Sequence, residues 1–204
     1  MRQINKGNEP ESFSAWKKHN QNVTWNAFSD SNMPHRDVYV ELKETLVTQQ
    51  DKMCCYCEIA LSKDTDAHVE HLKDRCNYGN KTYCFNNLFA SCHNKSSCGH
   101  KKGRGYFNNM ISPLDRCDER FTYTGDGRII PIDESDANAL QTIDLLGLNC
   151  KRLTDRRKSI IKTLEMSDYD YLKITLENYW DWYGGFLSVI EYMIETHVSV
   201  NVNV

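Results

Sequence analysis

The sequence predicts an α+β fold, in which a small unit of two strands and one helix is stapled by a four-cysteine zinc site. An N-terminal helical arm and a mainly helical C-terminal region flank that unit. Two cysteine pairs, Cys54/Cys57 and Cys92/Cys98, have the spacing of short knuckles that close on a tetrahedral zinc ion. A β-branched segment at 68–72 lies between the pairs, and helical patterns dominate after residue 134.

The length and composition set the scale of the molecule. A chain of 204 residues with 40% hydrophobic residues can form one core, or a small metal-stapled core with a helical domain. Most of the nine cysteines fall between 54 and 98, and no secretory leader or membrane span is expected, so a reducing compartment favours metal ligands over disulfides. Cys55 lies inside the first knuckle and is an alternative ligand to Cys54.

Three regions are expected along the chain. Residues 1–53 form an N-terminal arm and helix, 54–106 form the zinc-knuckle core, and 107–204 form a hairpin and a helical region that pack with the core as one unit. In the arm, 11–19 is expected to be a short helix, and 35–52 has apolar residues at helical spacing that lead into the first knuckle. No chemistry is assigned to the arm.

The segment His68-Val69-Glu70-His71 carries the candidate chemistry. A neutral imidazole can take a proton from water near pH 7, and a carboxylate can hold a hard divalent cation, so Glu70 and His71 suit phosphodiester hydrolysis. Strict strand alternation sends the two side chains to opposite faces, so both address one cleft only if the strand bends or ends there. The alternative is that both are polar strand residues without a chemical role.

The second half of the core is expected to contain a loop over 73–85, a strand over 88–91 and a helix that ends at the glycine-rich turn 103–105. Positive charge is concentrated there: 69–106 contains seven lysines and arginines against two acids. Lys101, Lys102 and Arg104 are the candidate phosphate contacts, and a solvated turn is the alternative.

The C-terminal region is expected to begin with a hairpin over 121–132, followed by a helix capped by Ser135 and ended by Gly147. Further helices are expected over 151–164, 169–182 and 186–196, with a frayed tail from 198 to 204. The first of these is basic. The remainder is acidic and rich in Tyr and Trp, which favours either a protein interface or a helical core.

The core motifs resemble those of HNH endonucleases of the zinc-knuckle type, whose core is a ββα-metal unit. The resemblance implies that His71 is the general base, Glu70 and His100 hold a catalytic Mg²⁺ or Mn²⁺ ion, and Asn87 orients the histidine loop. It also implies that Cys54, Cys57, Cys92 and Cys98 hold a structural zinc ion. Gly99 occupies the slot where the family usually has His or Asn, so His93 is held in reserve for His100.

A wider resemblance, over about residues 1–165, is to the PtuB family of HNH nucleases in Septu-type and retron-associated anti-phage systems. It includes the opening 1–10, the Cys-Cys-Tyr-Cys-Glu stretch, and Ile111 to Leu114 with Gly127. It implies a bacterial cytoplasmic DNA endonuclease that works beside a PtuA-like ATPase. The alternatives are a ribonuclease with the same centre, for example one directed at tRNA, and a non-catalytic zinc-stabilised module that binds nucleic acid or protein.

Overall fold

The computed structural model describes residues 1–61 and 66–202, which form two antiparallel hairpins, eight α-helices and three short 3-10 helices. The helices are α1 (Glu11–His19), α2 (Trp25–Ser29), α3 (Arg36–Gln49), α4 (Cys98–Lys102), α5 (Ala137–Leu146), α6 (Lys151–Glu165), α7 (Tyr169–Tyr183) and α8 (Leu187–Val202). The strands are β1 (Ala67–His71), β2 (Leu88–Cys92), β3 (Phe121–Tyr123) and β4 (Ile129–Pro131). The predicted α+β class is confirmed.

The N-terminal arm folds onto α3 through aromatic side chains. Phe13 and Trp16 from α1 pack against Phe28 from α2, with 4.1 Å between the ring centroids of Trp16 and Phe28. Leu42 and Leu46 of α3 are fully buried beneath the arm. The predicted helix at 11–19 is confirmed, and burial of these large aromatic surfaces is what stabilises an otherwise polar segment.

The central hairpin is β1 paired with β2, and the register sets His71 opposite Leu88 and Glu70 opposite Phe89. Every residue of β2 is buried. Gln50, at the end of α3, satisfies the outer edge of β2, because its side chain accepts from Ala90 N and donates to Ala90 O at 2.8 Å each. The helix that precedes the first knuckle is thereby joined to the hairpin that follows it.

The first knuckle is also joined to the C-terminal region. Glu58 is buried, pairs with the α-amino group of Met1 at 3.1 Å, and accepts from the backbone N–H and the hydroxyl of Ser188 at the start of α8. Gly185, at φ +106°, lies so close to the Glu58 carbonyl that a Cβ there would overlap it. The N-terminus and the start of α8 therefore meet at this knuckle.

The C-terminal helices begin and end close to their predicted positions, with two differences. The side chain that caps α5 is Asp136, which accepts from Ala139 N at 3.0 Å, so the prediction of Ser135 as the cap is wrong. Helix α8 continues to Val202, beyond the predicted end at Thr196, and the tail expected to be frayed is helical to that point. The last two residues of that tail lie outside the described part of the chain.

The basic and aromatic stretches of this region each divide between internal contacts and the surface. In α6, Arg157 is buried and donates to Leu148 O, and Arg156 donates to Tyr183 O at 3.0 Å. The aromatic residues of α7 divide between the two expected roles, since Tyr179 and Tyr183 pack on the core whereas Tyr171, Trp182 and others are exposed. Among the described helices, none has both the length and the apolar character needed to span a bilayer.

Candidate metal and catalytic site

The four cysteines of the two predicted pairs meet in one buried group. The Sγ atoms of Cys54, Cys57, Cys92 and Cys98 all lie within 4.8 Å of one another, and the Cys57 and Cys92 sulfurs are 3.9 Å apart. Sulfurs at opposite corners of a zinc tetrahedron with 2.3 Å bonds are separated by about 3.8 Å. The spacing of the group therefore fits a metal such as zinc, as the sequence predicted.

The alternative ligand, Cys55, is not in this group. Its backbone N–H donates to Ala90 O at 3.0 Å, and burial, with the neighbouring Cys54, raises the pKa of its thiol well above the ordinary value. Burial alone would also raise the pKa of Cys54, but hydrogen bonds from the surrounding cysteine sulfurs lower it well below that value. Of these two neighbours, only Cys54 belongs to the four-sulfur group.

His71 ends β1 in a buried position between Trp25 of α2 and Thr82 of the loop that follows β1. Its ring lies edge-on to Trp25, with 4.3 Å between the ring centroids, and its Nε2 donates to Thr82 O at 3.1 Å. Because a carbonyl can only accept, this bond places the proton on Nε2 and leaves a lone pair on Nδ1. Burial, and then the nearby Arg75, lower the pKa of His71 to about 4, so the ring is neutral at pH 7.

Asn87 ties together the ends of the loop that leads to Thr82. Its amide group donates to Lys73 O and Lys81 O at 3.0 and 3.1 Å, and its Oδ1 accepts from Lys73 N at 2.8 Å. These three bonds close the loop over 73–81 next to His71. Asn87 occupies the position at which the HNH resemblance implies a residue that orients His71.

Glu70 lies on the other side of β1 and is held by a buried lysine. Lys102 Nζ pairs with Glu70 Oε1 at 3.0 Å, and it also donates to the carbonyls of His71 and Leu72 at 2.9 and 3.2 Å. Lys102 is only 3% exposed, so it fixes the end of β1 and is not available for the phosphate contact expected from the sequence. The sequence did not show that Lys102 is buried, because the groups that it pairs with lie at the end of β1, about thirty positions earlier in the chain.

Three histidines gather beside Glu70. The ligand atoms of His68, His93 and His100 lie within 4.8 Å of one another, with His93 Nδ1 and His100 Nε2 3.3 Å apart. His68 Nε2 lies 3.5 Å from Glu70 Oε2. Burial, together with His68 and His93, lowers the pKa of His100. The two predicted alternatives, His100 and His93, are therefore neighbours, and His68 is the residue that sequence reasoning missed.

Gly99 has a steric reason to lack a side chain. A Cβ at this position would lie 2.8 Å from both Glu70 Cδ and His68 Nε2, and closer still to Glu70 Oε2. Contacts this short force the carboxylate and the imidazole to move. In the family pattern this position carries His or Asn. Here the side chains of Glu70 and His68 occupy the space that a side chain at Gly99 would need.

Alanine at Gly99 is expected to displace Glu70 and lower any hydrolytic rate by about a hundredfold, because displacements near 1 Å cost that much in a preorganised site. The measurement is the cleavage rate beside the zinc content. Gly79→Ala is the matched control, since a Cβ there has nothing within 4 Å. A Gly99→Ala variant that cuts at the parental rate would contradict this account.

The cavity in front of these groups has a volume of about 520 Å³. Its lining includes His68, Glu70, His71, His100, Arg75 and Arg104. Glu70 and His71 thus border one cavity although they are adjacent in a strand, because β1 ends at His71. Arg104 and Lys101 are exposed, as expected for phosphate contacts. Arg75 was not singled out, although it lies in the predicted basic stretch.

No family model matches the chain. Among curated proteins it is similar to "Retron Ec83 putative HNH endonuclease" of Escherichia coli, with 25% identity over 207 residues, covering 79% of this chain and 79% of that protein. It is also similar to "Retron Vc95 putative HNH endonuclease" of Vibrio cholerae serotype O1 biovar El Tor, with 31% identity over 135 residues, covering 60% of this chain and 64% of that protein. These relatives support an HNH endonuclease family and a nuclease function for the chain.

Proposed function

We propose that the protein is a metal-dependent HNH endonuclease that hydrolyses phosphodiester bonds in DNA. The observation that carries the proposal is the meeting of His71, Glu70 and His100 on one cavity, beside a four-cysteine group. The names of the two curated relatives support the same activity. The basic side chains of Arg75 and Arg104 on the cavity wall suit a polyanionic substrate.

His71 acts as the general base in this proposal. Its Nδ1 lone pair takes a proton from a water molecule in the cavity, and the water oxygen bonds to phosphorus as the bond to the 3′ oxygen breaks. The hydrogen bond from Nε2 to Thr82 O holds the ring in the tautomer that this step needs. Asn87 supports that bond by closing the loop that ends at Lys81, directly before Thr82.

Glu70 and His100 would hold a catalytic divalent ion, with Mg²⁺ or Mn²⁺ as the expectation from the sequence. Such an ion, when bound, supplies positive charge that offsets the charge developing on the phosphate and on the leaving oxygen. The four cysteines would hold zinc in a closed structural site with no position open to substrate. Zinc there would fix β2 and α4, which carry Cys92 and Cys98, against the first knuckle.

The biological setting is proposed from the relatives and the resemblance. Because both curated relatives are named as retron proteins, we place the chain in a retron-associated anti-phage system of the bacterial cytoplasm. A PtuA-like ATPase is the proposed protein partner. The exposed aromatic side chains of α7, which include Tyr171 and Trp182, are the surface that suits such a partner.

The test is a side-by-side cleavage assay of plasmid DNA and tRNA with purified protein, alone and with its ATPase partner. We expect plasmid cleavage that needs an added divalent ion and stops with EDTA. Preferential cleavage of tRNA would replace DNA with RNA as the substrate. Binding of both nucleic acids without cleavage, under every divalent ion and with the partner present, would refute the nuclease proposal and favour the zinc-stabilised binding module.

A further inference from the structure

We propose that Tyr78, Tyr106 and Lys73 form a subsite for an unpaired nucleotide beside the catalytic cavity, so that the strand bound there is single-stranded or locally melted DNA. The inference deepens the proposed function and rests on it in one respect, since it names the class of strand that the cavity receives. None of the three residues has a role in the HNH resemblance.

Two tyrosines and a lysine meet in one cluster. The ring centroids of Tyr78 and Tyr106 are 5.3 Å apart, and the ring planes cross at 79°. Lys73 Nζ lies over both rings, 5.6 Å from the centroid of Tyr78 and 5.1 Å from that of Tyr106. All three residues are half-buried. The cluster therefore presents aromatic surface and an ammonium group at one place.

The cluster comes from two segments that also line the catalytic cavity. Residues 74–76, in the loop after β1, and residues 103–104, after α4, belong to the cavity wall. Lys73 directly precedes the first of these segments, and Tyr106 follows the second by two residues. A strand that leaves the cavity on this side therefore meets the cluster.

A second depression begins where the cavity wall ends. It has a volume of about 600 Å³ and is lined by residues 105–107 and by residues of α5. Its walls include Tyr106, Phe107 and Leu140, with one carboxylate, that of Asp144, and no lysine or arginine. Such walls suit the flat, uncharged bases of a strand and repel its phosphates. The phosphates are then left to the basic side chains on the cavity side.

The chemistry of the cluster favours an unpaired strand. Bases stack on aromatic side chains whatever their identity, because every base has a π face. In a duplex the neighbouring pairs cover both faces of each base, so a base has to leave the stack to reach Tyr78 or Tyr106. Lys73 can pair with a phosphate of the same strand as a point charge. The subsite should therefore bind single strands with little sequence preference.

The experiment is a fluorescence anisotropy titration of labelled oligo(dT) with the zinc-loaded full-length protein, with no further divalent ion added, so that binding is measured without cleavage. An oligonucleotide of the same length with abasic sites in place of the thymines is the paired probe. We expect the parental protein to bind the abasic probe at least about tenfold more weakly, because stacking on the tyrosines is lost.

Substitutions in the cluster should remove this difference between the probes. Tyr106→Ala and Tyr78→Ala should each weaken oligo(dT) binding by about tenfold, since stacking on one ring is worth that much. Binding of the abasic probe should stay unchanged in both variants. Tyr106→Trp should keep the parental affinity for oligo(dT), because it keeps an aromatic face.

Tyr169→Ala is the matched control. Lys173 Nζ lies over the ring of Tyr169, 4.4 Å from its centroid, which repeats the arrangement of Lys73 over Tyr106. This pair belongs to α7, and neither residue lines the cavity. The control variant should bind both probes as the parental protein does.

The outcomes distinguish this inference from the proposed function. Equal affinity of the parental protein for the two probes would overturn the inference, and this comparison needs no variant to fold. Full retention of oligo(dT) affinity by both alanine variants would also overturn it. Either result leaves the nuclease proposal in place if plasmid cleavage persists. Base-dependent binding that is lost in Tyr106→Ala, in a protein that cuts no nucleic acid, would support the inference and reject the nuclease.

Discussion

Alanine in place of His71 is expected to lower the rate of phosphodiester hydrolysis by about 10²–10⁴-fold, the contribution typical of a general base. The side chain supplies the Nδ1 lone pair, and no other described ring at the end of β1 is tied to Thr82 in the same way. The measurement is the single-turnover cleavage rate on the preferred nucleic acid, with zinc content measured on the same sample. Substrate binding should stay near the parental level.

His35 offers a matched control for this substitution. It is a half-buried histidine that, like the buried His71, packs on a tryptophan, with 5.4 Å between its ring centroid and that of Trp16, and its Nε2 donates to Ala27 O at 3.2 Å. It does not border the cavity. His35→Ala should therefore cost similar stability and leave cleavage unchanged. Equal losses of activity in both variants would show that His71 matters only for folding.

Alanine in place of Cys98 is expected to release the structural metal and unfold the core. Binding of zinc to a four-ligand structural site contributes about 10–16 kcal/mol in small zinc domains, which exceeds the net stability of most domains. The hairpin β1–β2 alone buries too little to replace that contribution, because isolated two-stranded hairpins are marginal in water. The measurements are zinc content and loss of cooperative thermal unfolding.

Cys55→Ala is the control that separates metal from packing. Both residues are buried cysteines in the same core, and both substitutions remove one sulfur atom. Only Cys98 lies in the four-sulfur group. Cys55→Ala should keep one zinc ion and lose only the small stability that a buried cavity costs. Retention of zinc by Cys98→Ala, with a cooperative melt, would contradict the structural role of the metal.

Signals that act over a few residues were readable from the sequence. The cysteine pairs were identified because each is closed by a short loop, so their spacing nearly determines how they can meet. The helix at 11–19 and the end of α5 at Gly147 were placed correctly because caps and periodicity are local. Ser135 and Asp136 are both good caps, and only the backbone shows which one faces Ala139 N.

Signals that depend on distant partners were not readable in the same way. Lys102 resembles a surface lysine in sequence, and its burial depends on Glu70 and the carbonyls at the end of β1. In the sequence, Gly99 is only a departure from the HNH motif. The structure gives the steric reason, because Glu70 lies where a side chain at Gly99 would be. His68 did carry a usable signal, because strand alternation places it on the same face as Glu70, two residues away.

The pairing of Glu70 with Lys102 has an electrostatic consequence for the substrate. An acid that is needed to attract a cation would ordinarily push a polyanion away from the same cavity. Here the ammonium group of Lys102 reaches that acid from the interior, 3.0 Å away, and cancels much of its field without occupying the opening. A nucleic acid strand can therefore approach the cavity with little repulsion, even before a cation has arrived.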